Sequence, residues 1–143
     1  MMSGFKGYVT SAVFMGERAP QHVQNIIIRD YCKRNAFHYV LSGTEYAMAG
    51  SSIILRQLIG ELVTLEGIVA YSLFQMPVDK NIRSNIFSTI VEMGKELHFA
   101  QESSFIKCSD DIKRIEDIWS VRAICSSVIL GQEIESFIND QRI

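Results

Sequence analysis

Basic charge is what this chain has least to spare: 14 lysines and arginines stand against 16 aspartates and glutamates, a net charge of −2 with a pI of about 5.9. No global positive field draws it toward phosphates, so nucleic acid is not expected as a partner. Cysteine is equally sparse. Cys32, Cys108 and Cys125 are odd in number and show no CxxC spacing, which argues against a disulfide framework and a zinc knuckle and reads as reduced core thiols. Long apolar runs are missing too. Arg56 and Arg122 interrupt the greasiest stretches well short of a membrane span, and Met1 to Lys6 carries no apolar signal segment, so the expected location is the cytoplasm, away from membranes. There is no GxGxxG, no Walker loop, no HExxH and no Cys/His ligand spacing, so no cofactor and no metal are expected. Repeats, linkers and low-complexity segments are absent, and 143 residues make one domain able to bury a core unaided.

What is present is organised around Glu66 to Pro77. Ile68 to Tyr71 are consecutively apolar or aromatic and cannot show one face to water, which reads as a central strand of a parallel sheet covered on both faces. Pro77, with no N–H to donate, closes the segment. Upstream, Gly7 to Phe14 is rich in β-branched and aromatic residues and forms the first strand. After the Gly16-Glu17-Arg18-Ala19-Pro20 break, Val23, Ile26, Ile27, Tyr31 and Cys32 recur at helical spacing up to Asn35. Phe37 to Leu41 reads as a second strand, and Ser42 to Gly50 as a polar loop at its exit.

Ser51 or Ser52 can cap the next helix, whose core face is Ile54, Leu55, Leu58, Leu62 and Leu65. Asp79 or Asn81 starts a third helix carrying Ile82, Ile86, Ile90, Val91 and Met93. Leu97 to Ala100 is a fourth strand, with Gln101 and Glu102 at its exit. From about residue 110 to 142 the chain is helical, with Ile112, Ile115, Ile118, Trp119, Val121, Ile124, Val128 and Ile129 on a wide apolar arc that Gly131 could bend. The alternation of strands and helices implies an α/β domain with a four-stranded parallel sheet in the order 2-1-3-4, flavodoxin-like, and a long C-terminal helix. In such sheets ligands bind at the carboxyl ends of the strands.

Two resemblances bear on function. Gly7-Tyr8-Val9, a helix with Gln24 and Cys32, and Ser42-Gly43 distantly resemble the catalytic domain of serine recombinases, the resolvases and invertases. That family places an arginine on strand one, two residues before its nucleophilic serine; the matching positions are Thr10 and Ala12, and Ser11 is one residue out of register. Its Asp-Arg pair after strand three is replaced by Phe74 and Gln75, and no helix-turn-helix module follows. A second resemblance covers nearly the whole chain. Gly16 to Asn25, Arg29-Asp30-Tyr31-Cys32, Ser42 to Met48, Gly67 to Pro77 and Leu97 to Ala100 resemble the sporadic carbohydrate cluster protein family, small bacterial proteins encoded among surface-glycan genes. This resemblance implies a role in making or modifying a sugar for polysaccharide or lipopolysaccharide, without implying a known reaction.

On the sheet reading, one edge gathers the candidate site. After strand one come Ser11, Arg18, Gln21 and His22; after strand two, Ser42, Thr44, Glu45 and Tyr46. Strand three contributes Tyr71, Ser72 and Gln75, and Glu102 follows strand four. His22 could serve as a neutral base or donor, or merely cap the helix. Arg18 could hold a phosphate or carboxylate in bidentate fashion, and Glu45 could act as general acid or base, unless the two only pair with each other. Tyr46 and Tyr71 could stack on a sugar or simply pack. His38 and His98, opening their strands, fall at the opposite edge and read as structural or incidental.

The expectation is therefore a small enzyme, with His22 and Glu45 catalytic, or an accessory that binds a sugar or nucleotide sugar. The alternative is a catalytically empty resolvase-like module that holds a partner enzyme; DNA strand exchange ranks last. The surplus apolar surface of the C-terminal helix further implies a homodimer, or a dimer of dimers, packed through it.

Overall fold

The computed structural model describes the backbone of residues 4–10, 19–45 and 53–140, and the side chains of these except 41–45, 53–54 and 125–140. Its strands are β1 (Phe5–Thr10), β2 (Tyr39–Glu45), β3 (Gly67–Ala70), β4 (Glu96–Phe99) and β5 (Ser104–Ile106). Its helices are α1 (Gln21–Arg34), α2 (Ile53–Gly60), α3 (Lys80–Glu92) and α4 (Ser109–Asp140), with 3₁₀ turns at Leu62–Thr64 and Leu73–Gln75. The sheet order is β2-β1-β3-β4-β5, with β5 antiparallel to β4 and the other pairs parallel. The order expected for four strands holds, and a fifth is added. It arises because the chain reverses at once after β4, where Ser103 adopts φ 49° and its N–H reaches Ala100 O at 3.3 Å. Three residues are too few to show an alternating pattern.

β3 explains why its sequence is apolar without interruption. Ile68 and Ala70 enter one core with Leu55 and Leu58 of α2, Ile86, Phe87 and Ile90 of α3, and Ile115 and Trp119 of α4. Val69 and Tyr71 point the other way, into a second core with Phe5, Val9 and Ala100 of the sheet and Ile28, Tyr31 and Cys32 of α1. Both faces are buried, as a parallel sheet requires. Gly67 is obligatory at the strand's start, because a Cβ there would collide with the Glu96 carbonyl and the Phe5 ring.

Several expected boundaries shift. β2 continues through Ser42, Gly43, Thr44 and Glu45, read above as loop, because these residues pair with Gly7 to Thr10 of β1. β3 stops at Ala70, and Ser72 caps the 3₁₀ turn that replaces the rest of the expected strand. On α1 the buried stripe is Gln24, Ile28, Tyr31 and Cys32; Ile26 is 63% exposed, on the opposite face of the helix. Ile82 at the start of α3 is likewise exposed, and Phe87 takes the central place. Cys108 is exposed rather than a core thiol, while Cys32 is buried. Asp79 caps α3, accepting from the N–H groups of Asn81 and Ile82 at 2.8 and 3.1 Å. The expected Ser51 or Ser52 cap, and the first strand's expected extension over 11–14, lie outside the described residues.

α4 begins where Asp111 accepts from the N–H groups of Lys107 and Cys108 at 2.9 and 3.3 Å. Arg83 ties α3 to it, with Nε and Nη2 on the two Glu116 oxygens at 2.7 and 2.8 Å and Nη1 on the Pro77 and Val78 carbonyls at 3.0 Å. The same guanidinium lies 4.1 Å from the centre of the Trp119 ring. At 32 residues, α4 is about 48 Å long. Ile112, Ile115, Ile118 and Trp119 turn inward in its first turns, whereas Val121 and Ile124 are 59% and 62% exposed.

Candidate functional site at the carboxyl edge of the sheet

Gln24 is the centre of this edge. Its place on the buried stripe of α1 aims a primary amide at the end of β1, where its Oε1 accepts from Thr10 N–H at 3.1 Å and its Nε2 donates to Thr10 O at 2.7 Å. The second Nε2 hydrogen goes to Ala19 O at 2.8 Å, and Oε1 also accepts from Gln75 Nε2 at 2.7 Å. Both hydrogens and both lone pairs are thereby used. One side chain fastens the end of β1, the entry to α1 and the turn after β3.

From Gln75 the chain of bonds continues. Its Oε1 accepts from Ser72 N–H at 3.2 Å, while Ser72 Oγ accepts from Phe74 N–H at 3.2 Å, a reciprocal cap on the 3₁₀ turn. Glu102, carried round by the β4–β5 turn, closes the group. Its Oε2 accepts from Ser72 Oγ at 2.8 Å and its Oε1 from Leu73 N–H at 2.7 Å. Ser72, Gln75 and Glu102 therefore meet as expected, but as partners of one another. Such a network holds the edge rigid, and it offers a ligand groups that are already bonded.

The other candidates are distributed differently. Tyr71 is buried in the α1-side core, and its N–H extends the ladder to Tyr8 O at 3.2 Å. Gln21 is the half-buried first residue of α1, and His22 beside it is exposed. Ser42, Thr44 and Glu45 lie on β2 opposite Gly7, Val9 and Thr10, so Glu45 ends its strand next to the Gln24 clamp. Ser11, Arg18 and Tyr46 lie outside the described residues, as do the side chains of the β2 candidates. Among the described residues no group of three His, Cys, Asp or Glu is placed to hold a metal, and no helix is long and apolar enough to cross a membrane. A groove of about 320 Å³ opens between α2 and α3, lined by Arg56, Ile59, Ile82, Asn85, Ile86 and Thr89, and shares no residue with this edge.

Sequence reasoning gave Gln24 no part in the site, although a signal existed: a glutamine in register with Ile28, Tyr31 and Cys32 must find partners inside. It also set His98 aside. The imidazole is in fact buried within β4, with Nδ1 2.6 Å from Tyr31 Oη and Nε2 2.8 Å from Glu96 Oε1.

No family model and no curated protein matches this chain. Among solved structures it is similar to a resolvase family site-specific recombinase from Streptococcus pneumoniae, with a TM-score of 0.58 and 14% identity over 97% of this chain and 99% of that one. At that identity the likeness is one of architecture: this chain has a resolvase-like fold.

Proposed function

We propose that the chain is a resolvase-like domain emptied of strand-exchange chemistry, which acts by holding partners, first among them a second copy of itself along α4. The observation that carries this reading is the exposure of Val121 and Ile124, three residues apart on one face of a long helix. Covering them in a two-fold contact, with the same patch on both subunits, is the simplest way to remove that surface from water. The engagement of Ser72, Gln75 and Glu102 with one another supports the absence of chemistry at the edge. Where the recombinase resemblance calls for an Asp-Arg pair stand Phe74, packed 5.5 Å from the Trp119 ring, and Gln75, bonded to Gln24. The setting, sugar biosynthesis for a bacterial surface glycan in the cytoplasm, rests on the sequence resemblance alone.

A second reading is favoured by one specific observation. Thr10 pairs with Glu45, and Tyr71 N–H bonds Tyr8 O, so the segments holding Arg18, Tyr46 and Ser72 leave neighbouring strands at one edge. A sugar or nucleotide sugar held there would make the protein an enzyme or a binding accessory, with His22 and Glu45 as its acid–base groups.

Genetic complementation with two sets of variants separates the readings. The holding role predicts that Val121→Glu with Ile124→Lys abolishes function while Arg18→Ala, His22→Ala and Glu45→Ala retain it; the reverse pattern supports the ligand site. In that case a nucleotide sugar should raise the melting temperature of the wild type and not of Glu45→Ala. Steeply salt-dependent DNA binding, or a covalent Ser11–DNA link, would restore the recombinase reading that is ranked last.

A further inference from the structure

His98 carries a chain of hydrogen bonds whose proton positions are fixed by its neighbours. Glu96 Oε1 can only accept, so the hydrogen in the 2.8 Å contact sits on His98 Nε2. Nδ1 is then a bare acceptor, and the Tyr31 hydroxyl donates to it at 2.6 Å. The phenol belongs to α1, the imidazole and carboxylate to β4, so this chain crosses from helix to sheet. Phe5, Phe37 and Phe105 surround the imidazole, their ring centres 5.5, 4.9 and 5.8 Å away. His98 is 3% exposed.

A proton on Nδ1 would upset this arrangement without an easy remedy. Imidazolium donates from both nitrogens, so Tyr31 Oη would have to accept, and its own hydrogen would turn toward aromatic rings in a buried site. We propose that the Tyr31–His98–Glu96 chain is a proton-operated latch: it docks α1 on the sheet while the imidazole is neutral and loosens the helix when the imidazole takes up a proton. The consequence reaches the carboxyl edge, because α1 also carries Gln24, which fastens Thr10 and Gln75. The inference does not depend on either functional reading above.

Among the described residues, charged and titratable groups face this chain of bonds from several elements. From α1, Tyr31, Cys32 and Arg34 lie nearby; from β4, Glu96; beyond β5, Lys107, 3.6 Å from Glu96 Oε1; from α4, Arg114, over the Phe105 ring. β1 and β3 contribute the uncharged Phe5 and Val69. Burial is the strongest influence on His98 and lowers its pKa; the Glu96 bond and charge act the other way, Lys107 adds to the lowering, and the net shift is downward from 6.5. Above 6.5 the imidazole is neutral folded or unfolded, and the latch contributes in full. As pH falls from there toward the lower folded value, the unfolded chain binds more protons and stability declines.

The test is histidine NMR together with amide hydrogen exchange on the wild type and Tyr31→Phe. The chain has three histidines, so the His98 signal can be assigned against His22 and His38. In the wild type His98 should be the Nε2–H tautomer and should titrate below 6.5. Between about pH 7.5 and about pH 5.5, after correction for intrinsic exchange, α1 amides should lose about tenfold in protection relative to α3 amides. Tyr31→Phe should raise the pH at which His98 titrates, since the bond favouring the neutral ring is gone; a phenol that merely packs would leave it unmoved. An Nδ1–H tautomer, titration of His98 at or above 6.5, or parallel protection of α1 and α3 would overturn the latch.

Discussion

The carboxyl edge of the sheet and the exposed face of α4 differ in what they leave unmatched. At the edge Gln24 spends every hydrogen-bonding valence on Thr10, Ala19 and Gln75, and Ser72 and Glu102 are bonded to each other. On α4, Val121 and Ile124 stand in water. A polar group already matched inside gains nothing from a ligand unless a bond is first broken, whereas covering a Val or Ile side chain gains about 1.5–3 kcal/mol. Among the described residues of the polar edge, Gln24, Ser72, Gln75 and Glu102 are matched to one another and to the backbone. The apolar helix face has capacity to spare.

Gln24→Ala should have the largest effect, because it removes four buried hydrogen bonds at once, two to the Thr10 backbone, one to the Ala19 carbonyl and one from the Gln75 amide. A loss of about 3–5 kcal/mol is expected from a shifted urea midpoint at unchanged slope. A loss under about 1 kcal/mol would mean that water replaces the clamp and that the edge is not locked. Glu102→Gln should cost less, about 1–2 kcal/mol, since one amide oxygen can still accept from Leu73 N–H while Ser72 Oγ loses its charged acceptor. On the other side of the comparison, Val121→Glu with Ile124→Lys should change the stability of the dilute chain by no more than about 0.5 kcal/mol per site. A larger loss would place these residues in the monomer's own core.

The smallest effect concerns thiols. Burial pushes the Cys32 thiol up to about 11, so it should stay unalkylated in the native protein while the exposed Cys108 reacts, as peptide mass mapping would read. Rapid native modification of Cys32 would show that α1 opens readily, and would weaken the picture of a locked sheet edge.

Much of the architecture was legible because it rests on local patterns. Four apolar residues from Ile68 to Tyr71 demand two covered faces, Asp79 is a helix cap by chemistry, and alternation of elements calls for parallel strands joined by crossovers. What was illegible depends on distant partners. Ser42-Gly43-Thr44 looks like loop until β1 supplies its ladder, and Ile26 fits a helical stripe as well as Ile28 until the sheet chooses between them. Ser72, Gln75 and Glu102 were placed correctly at the carboxyl edge by topology, yet their mutual bonding could not be foreseen: Gln24 and Gln75 are 51 positions apart, Ser72 and Glu102 30. His98 reads from the sequence as structural or incidental and is a buried structural group, but its bonding could not be foreseen for a related reason. Its partner Tyr31 lies 67 positions away on a helix that shows in sequence only its period.

The central claim is that free binding capacity lies on α4, and its most direct test is the mass in solution of the wild type and of Val121→Glu with Ile124→Lys, by light scattering across a dilution series. The wild type should have at least twice the chain mass of 16.2 kDa at tens of micromolar and dissociate on dilution; the variant should stay at 16.2 kDa with an unchanged circular dichroism spectrum. A wild type that remains at 16.2 kDa throughout, or a variant that assembles as the wild type does, would contradict the account.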